Sequence, residues 1–182
     1  MPTASSTLIG TAPPDFTLLD TLSQNTLQLQ DCVNKQGLLV MFLCNHCPYV
    51  RHLETALTSF CQNLQQQHVG VVAISANDPE NYPADAPEKM AERAQELNWS
   101  FPYLFDSSQD VARNWGAVCT PEFFLYNSDL NCVYHGRFDN SLPNNGEAVT
   151  GADLQAAVDA MLSGAPPLTD QKPSMGCSIK WR

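Results

Sequence analysis

Residues 38–43 read Leu-Leu-Val-Met-Phe-Leu, and residues 69–74 read Val-Gly-Val-Val-Ala-Ile. Apolar residues that run on without alternation mark a strand covered on both faces. Between the two runs, Leu53, Leu57, Phe60, Cys61 and Leu64 recur at helical spacing and form one apolar helix face. Strand, helix and strand at these intervals predict a βαβ unit with parallel strands and a right-handed crossover.

Cys44-Asn45-His46-Cys47 stands at the junction of the first strand and the helix, followed by Pro48, which the first turn of a helix tolerates. Two thiols three positions apart can close a disulfide ring. The unpaired N–H groups and positive dipole end of a helix start favour a thiolate over a thiol. The spacing therefore predicts reversible thiol–disulfide exchange. Cys44, expected at the exposed helix start, is assigned as nucleophile, and Cys47, one turn inward, as the resolving thiol. His46 is expected to tune the pair, because an imidazolium nearby lowers a thiol pKa.

A chain of 182 residues with 43% hydrophobic and 15% charged residues is long enough for one domain with a real core. Its formal charge is −10 and no two basic residues are adjacent before the C-terminus, so a phosphate backbone has nothing to grip and nucleic acid is not an expected partner. Met1–Thr7 has neither the positive start nor the apolar stretch of a signal segment, and no apolar run approaches the ~20 residues that span a bilayer. The chain reads as cytoplasmic, with no membrane partner. Seven cysteines, an odd number, do not suggest a secreted disulfide framework.

Elsewhere, Phe16–Leu19 and Thr26–Leu29 predict an opening β-hairpin. The stretch 77–87 reads as a proline-rich acidic loop, 88–97 as a polar helix, 101–105 as a short apolar segment, and 110–115 as a helical turn ended by Gly116. Residues 122–126 and 132–137 predict an antiparallel pair, and Thr150 or Gly151 starts a last helix. The expected division is a domain over 1–163 and an extended tail over 164–182, held out by Pro166, Pro167 and Pro173 and packed back on the domain through Ile179 and Trp181.

This order, with Val-Cys-Thr-Pro-Glu-Phe-Phe at 118–124, resembles the thioredoxin fold: an α/β domain with a central mixed sheet flanked by helices. The resemblance implies that Thr120 and Pro121 share a cis peptide bond, face the redox cysteines and offer an edge to the substrate backbone. The opening hairpin and the inserted helix resemble the peroxiredoxin and TlpA-like branch. More narrowly, residues 44–49, 119–125 and 173–181 resemble bacterial peroxiredoxin-like proteins carrying Cys-x-x-Cys, over roughly residues 8–182. His46 before the second cysteine resembles the oxidising DsbA motif.

Departures sharpen the expectation. Peroxiredoxins carry Pro and Thr seven and three residues before the peroxidatic cysteine; counted from Cys44, Gly37 and Met41 stand there, and a Met side chain handles a peroxide oxygen poorly. Thioredoxin has a Trp just before its first cysteine and a buried Asp six residues before it, where this chain has Leu43 and Leu38.

A zinc half-site at Cys44 and Cys47 would need a second ligand pair, which is missing, and c-type haem attachment would need His where Pro48 stands. Cys61 belongs to the helix core face, Cys32 and Cys132 read as structural, and Cys119 as a small buried residue beside Thr120. Cys177, in the tail, is a possible third thiol. The expected activity is thiol–disulfide oxidoreduction through Cys44 and Cys47 with no cofactor and no metal. Its partners would be disulfide-containing proteins or small thiols and an unidentified reductant. The alternatives are a thiol peroxidase and a non-catalytic redox-sensing or metal-binding module, with Cys44, Cys47, Cys119 and His46 or His135 as soft ligands for Cu(I) or Zn.

Overall fold

A computed structural model describes residues 8–182. The reading of the N-terminus as lacking a signal segment falls on Met1–Thr7, outside the described residues. The strands are β1 (Thr17–Asp20), β2 (Thr26–Gln28), β3 (Gly37–Phe42), β4 (Val69–Ser75), β5 (Tyr103–Phe105), β6 (Cys119–Thr120), β7 (Glu122–Asn127), β8 (Cys132–Gly136) and β9 (Cys177–Ser178). The helices are α1 (Leu29–Cys32), α2 (Pro48–Gln66), α3 (Pro87–Glu96), α4 (Asp110–Trp115) and α5 (Ala152–Leu162), with a 3-10 turn at Pro83–Asp85.

One half of the central sheet has the order β2-β1-β5-β4 and the other the order β3-β7-β8. β3 and β4 lie side by side, and the Leu43 N–H donates to Ile74 O at 3.0 Å where they meet. β4 and β5 are parallel, whereas β1 pairs antiparallel with β2 and β5, and β7 with β3 and β8, so the sheet is mixed. The opening hairpin, the two apolar strands, α2 and the β7–β8 pair form where the sequence predicts them. α1, the 3-10 turn and β9 are short elements without a periodic signal.

All six residues of β3 are fully buried. Leu39, Met41 and Leu43 join the cluster under α2, α3 and α5, while Leu38, Val40 and Phe42 join the one under α1 and α4. This two-residue alternation across a doubly covered sheet accounts for the unbroken apolar run. Gly37, at φ +132°, opens β3 where a Cβ would stand 2.0 Å from the Tyr126 carbonyl oxygen, so only glycine lets the strand pair there.

α2 presents Leu53, Leu57, Phe60, Cys61 and Leu64 to the core, and Glu54 is buried with them. The Glu54 carboxylate is held in two hydrogen bonds from the Arg93 guanidinium. That pair, with Met90 and Ala94 buried beneath it, fixes α3 and therefore the 3-10 turn ahead of it beside the cysteines. On the other face, Trp115 packs against Phe16, Phe42, Phe124 and Tyr126 with ring centroids 5.4–6.5 Å apart. No helix among the described residues is long and apolar enough to cross a membrane.

Trp115→Ala is expected to destabilise the fold by about 3–5 kcal/mol, because the cavity cannot refill from rings already held by the sheet. Trp181, 42% exposed, should cost about 0.5 kcal/mol or less on the same substitution. Urea unfolding of the two variants measures the difference.

Candidate active site

The chain leaves β3 at Phe42 and enters α2 at Pro48, and the loop between them carries Cys44 and Cys47. Pro48 is the first helical residue and Cys47 is the N-cap. This corrects the expectation that Cys44 occupies the exposed helix start. Cys44 lies a full turn earlier and is 1% exposed, and Cys47 is completely buried.

The helix-terminus argument therefore applies to Cys47. The Cys44 thiol, the thiol and N–H of Cys177, and the Val50 N–H in the first turn of α2 are the neighbours that favour its thiolate. One contact favours the neutral thiol, a 3.1 Å bond to the Thr120 carbonyl oxygen. The Cys47 pKa is drawn down against its burial, chiefly by the Cys44 thiol. Cys44 moves the opposite way: giving its proton to Cys47, burial and the nearby Asp85 charge all hold it protonated.

Asp85, completely buried, is the site residue that the sequence does not reveal. It accepts hydrogen bonds from the Asn45 N–H (2.7 Å), the His46 N–H (3.2 Å) and the Asn77 side-chain amide (2.8 Å), and its other contact is His46 Nδ1 at 2.5 Å. Asn45 adds bonds from its amide to the Ala84 and Lys89 carbonyls. The Cys44–Cys47 loop is thus pinned to the 3-10 turn from both its backbone and its side chains. No local pattern could have pointed to an acid 40 residues away in a proline-rich loop.

His46 stacks on Tyr82 with centroids 5.1 Å apart, and its Nδ1 meets the Asp85 carboxylate. Ligand atoms of Cys44, His46 and Asp85 lie within 4.8 Å of one another. The 2.5 Å between His46 Nδ1 and Asp85 is a hydrogen-bond distance, shorter than the about 3.3 Å between two ligands on one tetrahedral zinc. The set does not fit shared metal ligation as it stands.

Thr120 and Pro121 face the two thiols across a cis peptide bond. Thr120 Oγ1 is 3.2 Å from Cys44 Sγ. The loop before them is fixed by Glu122, a fully buried carboxylate that accepts from the N–H groups of Val118 (2.8 Å) and Cys119 (3.1 Å) and pairs with His135 Nε2 at 2.7 Å. His135 therefore serves this loop and stands apart from the Cys44–His46–Asp85 set. Cys119 is buried, and burial with the Glu122 charge pushes its thiol pKa up. Cys32, Cys61 and Cys132 are buried away from the pair, and burial raises all three, Cys32 to about 12.

Cys177 is brought to the site. β9 pairs antiparallel with β6, and Cys177 lies opposite Thr120. Ser174 and Ile179, on either side, are buried, while Trp181 lies at the surface under the Arg113 guanidinium.

A pH titration of thiolate absorbance in the reduced protein should show one group ionising below the ordinary thiol range. Cys47→Ala should abolish that step. Cys44→Ala, which removes the principal donor, should move it upward. Loss of the step in Cys44→Ala with retention in Cys47→Ala would reverse the assignment.

Residues 9–135 match the family model described as the AhpC/TSA family. No curated protein matches the chain. An uncharacterized conserved protein from Geobacillus kaustophilus is 44% identical, with a TM-score of 0.95 over 100% of this chain and 97% of that one. A hypothetical protein from Sinorhizobium meliloti 1021 is 43% identical, with a TM-score of 0.96 over 100% and 99%. A secreted Mycobacterium tuberculosis disulfide oxidoreductase homologous to DsbE shares the fold at 16% identity, with a TM-score of 0.59 over 80% and 95%. A thioredoxin-like sheet, a thiol pair at the start of α2, and a family match across well over half its length place this chain in the AhpC/TSA family.

Proposed function

We propose that the protein is a thiol–disulfide oxidoreductase in which Cys47 is the nucleophile and Cys44 resolves. The observation that carries this reading is two thiols held against one residue at the start of α2, Cys44 Sγ 3.2 Å from Thr120 Oγ1 and Cys47 Sγ 3.1 Å from Thr120 O. Cys47, at the N-cap of α2, has its pKa drawn down chiefly by the Cys44 thiol, and Cys44, buried near Asp85, has its own pushed up. Exchange needs one thiolate to attack and one thiol held in reserve.

In the forward direction the Cys47 thiolate attacks a substrate disulfide R–S–S–R′. A Cys47–S–S–R bond forms and R′–S⁻ leaves. Cys44 then loses its proton and attacks the Cys47 sulfur, R–S⁻ leaves with that proton, and the Cys44–Cys47 disulfide remains. An external dithiol returns the pair to its reduced state. Thr120, whose hydroxyl and carbonyl meet the two sulfurs, holds both at the substrate-facing edge.

The second candidate oxidant is a hydroperoxide, which membership of the AhpC/TSA family favours. Counted back from Cys47, the peroxide-organising places hold Val40 and Cys44; counted from Cys44, they hold Gly37 and Met41. Neither register supplies the Pro and Thr. Thr120 Oγ1 stands against Cys44 instead.

With a small dithiol as reductant, the protein is expected to reduce the disulfides of insulin. Cys47→Ser should bring turnover to background. Cys44→Ser should stop after one attack and, with Cys177 also changed to Ser, retain the substrate as a mixed disulfide visible by mass. Trapping by Cys47→Ser instead of Cys44→Ser would exchange the two roles. Oxidation by hydrogen peroxide, followed by stopped flow, should be slow and should rise linearly with peroxide; rapid, saturating oxidation would make the protein a peroxidase.

A further inference from the structure

The C-terminal tail lies on the edge of β6, the strand that ends in Thr120-Pro121. Thr120 and Cys177 are direct antiparallel partners, as are Cys119 and Ser178. The approach is close: a Cβ built on Gly176 would stand 2.0 Å from the Thr120 carbonyl oxygen. Only a residue without a side chain lets the tail backbone settle there. On the far side, the Ile179 N–H donates to Val118 O (3.2 Å), the Lys180 N–H to Asn77 Oδ1 (2.8 Å) and the Arg182 N–H to Gln109 Oε1 (3.0 Å). On the near side, the Ser174 hydroxyl donates to Gly136 O at 2.6 Å. The tail is anchored on both sides of Cys177, so the position of this thiol is built and is not a chance of a free end.

Three features then coincide. Cys177 is half-buried and lies opposite Thr120, whose carbonyl oxygen is 3.1 Å from the Cys47 sulfur. Cys47 has no exposed surface, so an external disulfide cannot reach its sulfur while β9 is in place. The edge that a substrate strand would pair with beside Thr120 is already filled by a strand carrying its own cysteine.

We propose that residues 176–178 act as a built-in substrate strand on the edge of β6, and that Cys177 is a third redox thiol that exchanges with Cys47. The proposal rests on the reading of Cys44 and Cys47 as the exchange pair and extends it. From the Cys44–Cys47 disulfide, the Cys177 thiolate attacks the Cys47 sulfur. The Cys47–Cys177 bond forms, the Cys44–Cys47 bond breaks, and Cys44 takes the electron pair and the proton that Cys177 gave up. No outside oxidant is consumed in this step, which only moves the disulfide toward the surface, where a soluble reductant can reach it. Polypeptide substrates must displace β9, whereas small disulfides need only a transient opening.

Full-length Cys44→Ser protein treated with oxidised glutathione tests this. The Cys47 thiolate attacks glutathione disulfide, forming Cys47–S–S–glutathione and releasing one glutathione thiolate. Cys177 then displaces the second glutathione to form Cys47–Cys177. Peptide mapping after acid quench and alkylation is expected to find that disulfide at least tenfold over the glutathione adduct. Gly176→Ala in the same background should reverse the ratio by pushing the tail off Thr120. In wild-type protein, both the Cys44–Cys47 and Cys47–Cys177 disulfides should be found, which keeps the test open if either variant fails to fold. A lasting Cys47–glutathione adduct with Cys177 still open to alkylation overturns the third-thiol role and leaves the exchange pair intact. So does a wild-type Cys44–Cys47 disulfide that Cys177 never joins. Failure of Cys47 to react with glutathione disulfide in either protein overturns the exchange pair itself, and this proposal with it.

Discussion

Covering β3 on both faces leaves its backbone no hydrogen-bond partners except neighbouring strands, and it leaves the chain one way out, past the sheet at Phe42. Every residue of the strand is fully buried, with alternate side chains committed to opposite clusters. A one-residue slip would exchange the two sets and misfit both layers, so the strand cannot shift. The loop from Leu43 to Cys47 is therefore delivered to one place, between the end of a rigid strand and the first turn of a 19-residue helix. The chemistry of the site depends on that fixed hand-over.

At that place, small electrostatic differences separate two thiols of identical chemistry. Cys47 is the N-cap of α2 and meets the Thr120 carbonyl oxygen, and the neighbouring Cys44 thiol draws its pKa down. Cys44 is buried beside a carboxylate. Asp85 has a double role: it holds the loop through bonds to Asn45 and His46, and its charge opposes ionisation of Cys44. Each buried donor left without its acceptor would cost about 1–3 kcal/mol, so the loop has a strong reason to stay where the carboxylate is. Glu122 holds the opposite wall by the same means, taking the Val118 and Cys119 N–H groups and bonding to His135. Two buried carboxylates, one on each side, thus shape the gap in which the sulfurs lie.

The tail completes this arrangement by closing it. Its proline-rich stretch keeps residues 165–173 from folding into an element of their own, and the strand that follows uses main-chain bonds to β6 where side-chain packing is slight. A two-residue strand is a weak contact by itself; its neighbours Ser174 and Ile179, both buried, give it permanence. Cys47 is sealed by an element whose own hold on the sheet edge is short, which suits a contact that must open.

The strands and helices were legible because burial leaves a periodic record: an unbroken apolar run for β3 and β4, a helical one for α2, and Gly116 in the left-handed region closing α4. The positions of Cys44, Cys47, Thr120 and Pro121 were legible because each sits at the end of such an element. Which thiol caps the helix was not, because it turns on whether the helix begins behind Cys44 or behind Cys47, a difference of three residues decided by the hydrogen bonds that hold the loop. Asp85 and Glu122 carry no signal, since a buried acid is recognised by the donors that gather round it, and those come from segments far apart in the chain. The tail offered Cys177 and a route back, but the pairing of Gly176 to Ser178 with β6 depends on a sheet edge that exists only after the core has formed. Local patterning determined the elements and the thiols they carry. Tertiary structure alone decided what surrounds each sulfur and what covers it, because both follow from distances of a few ångströms between residues remote in sequence.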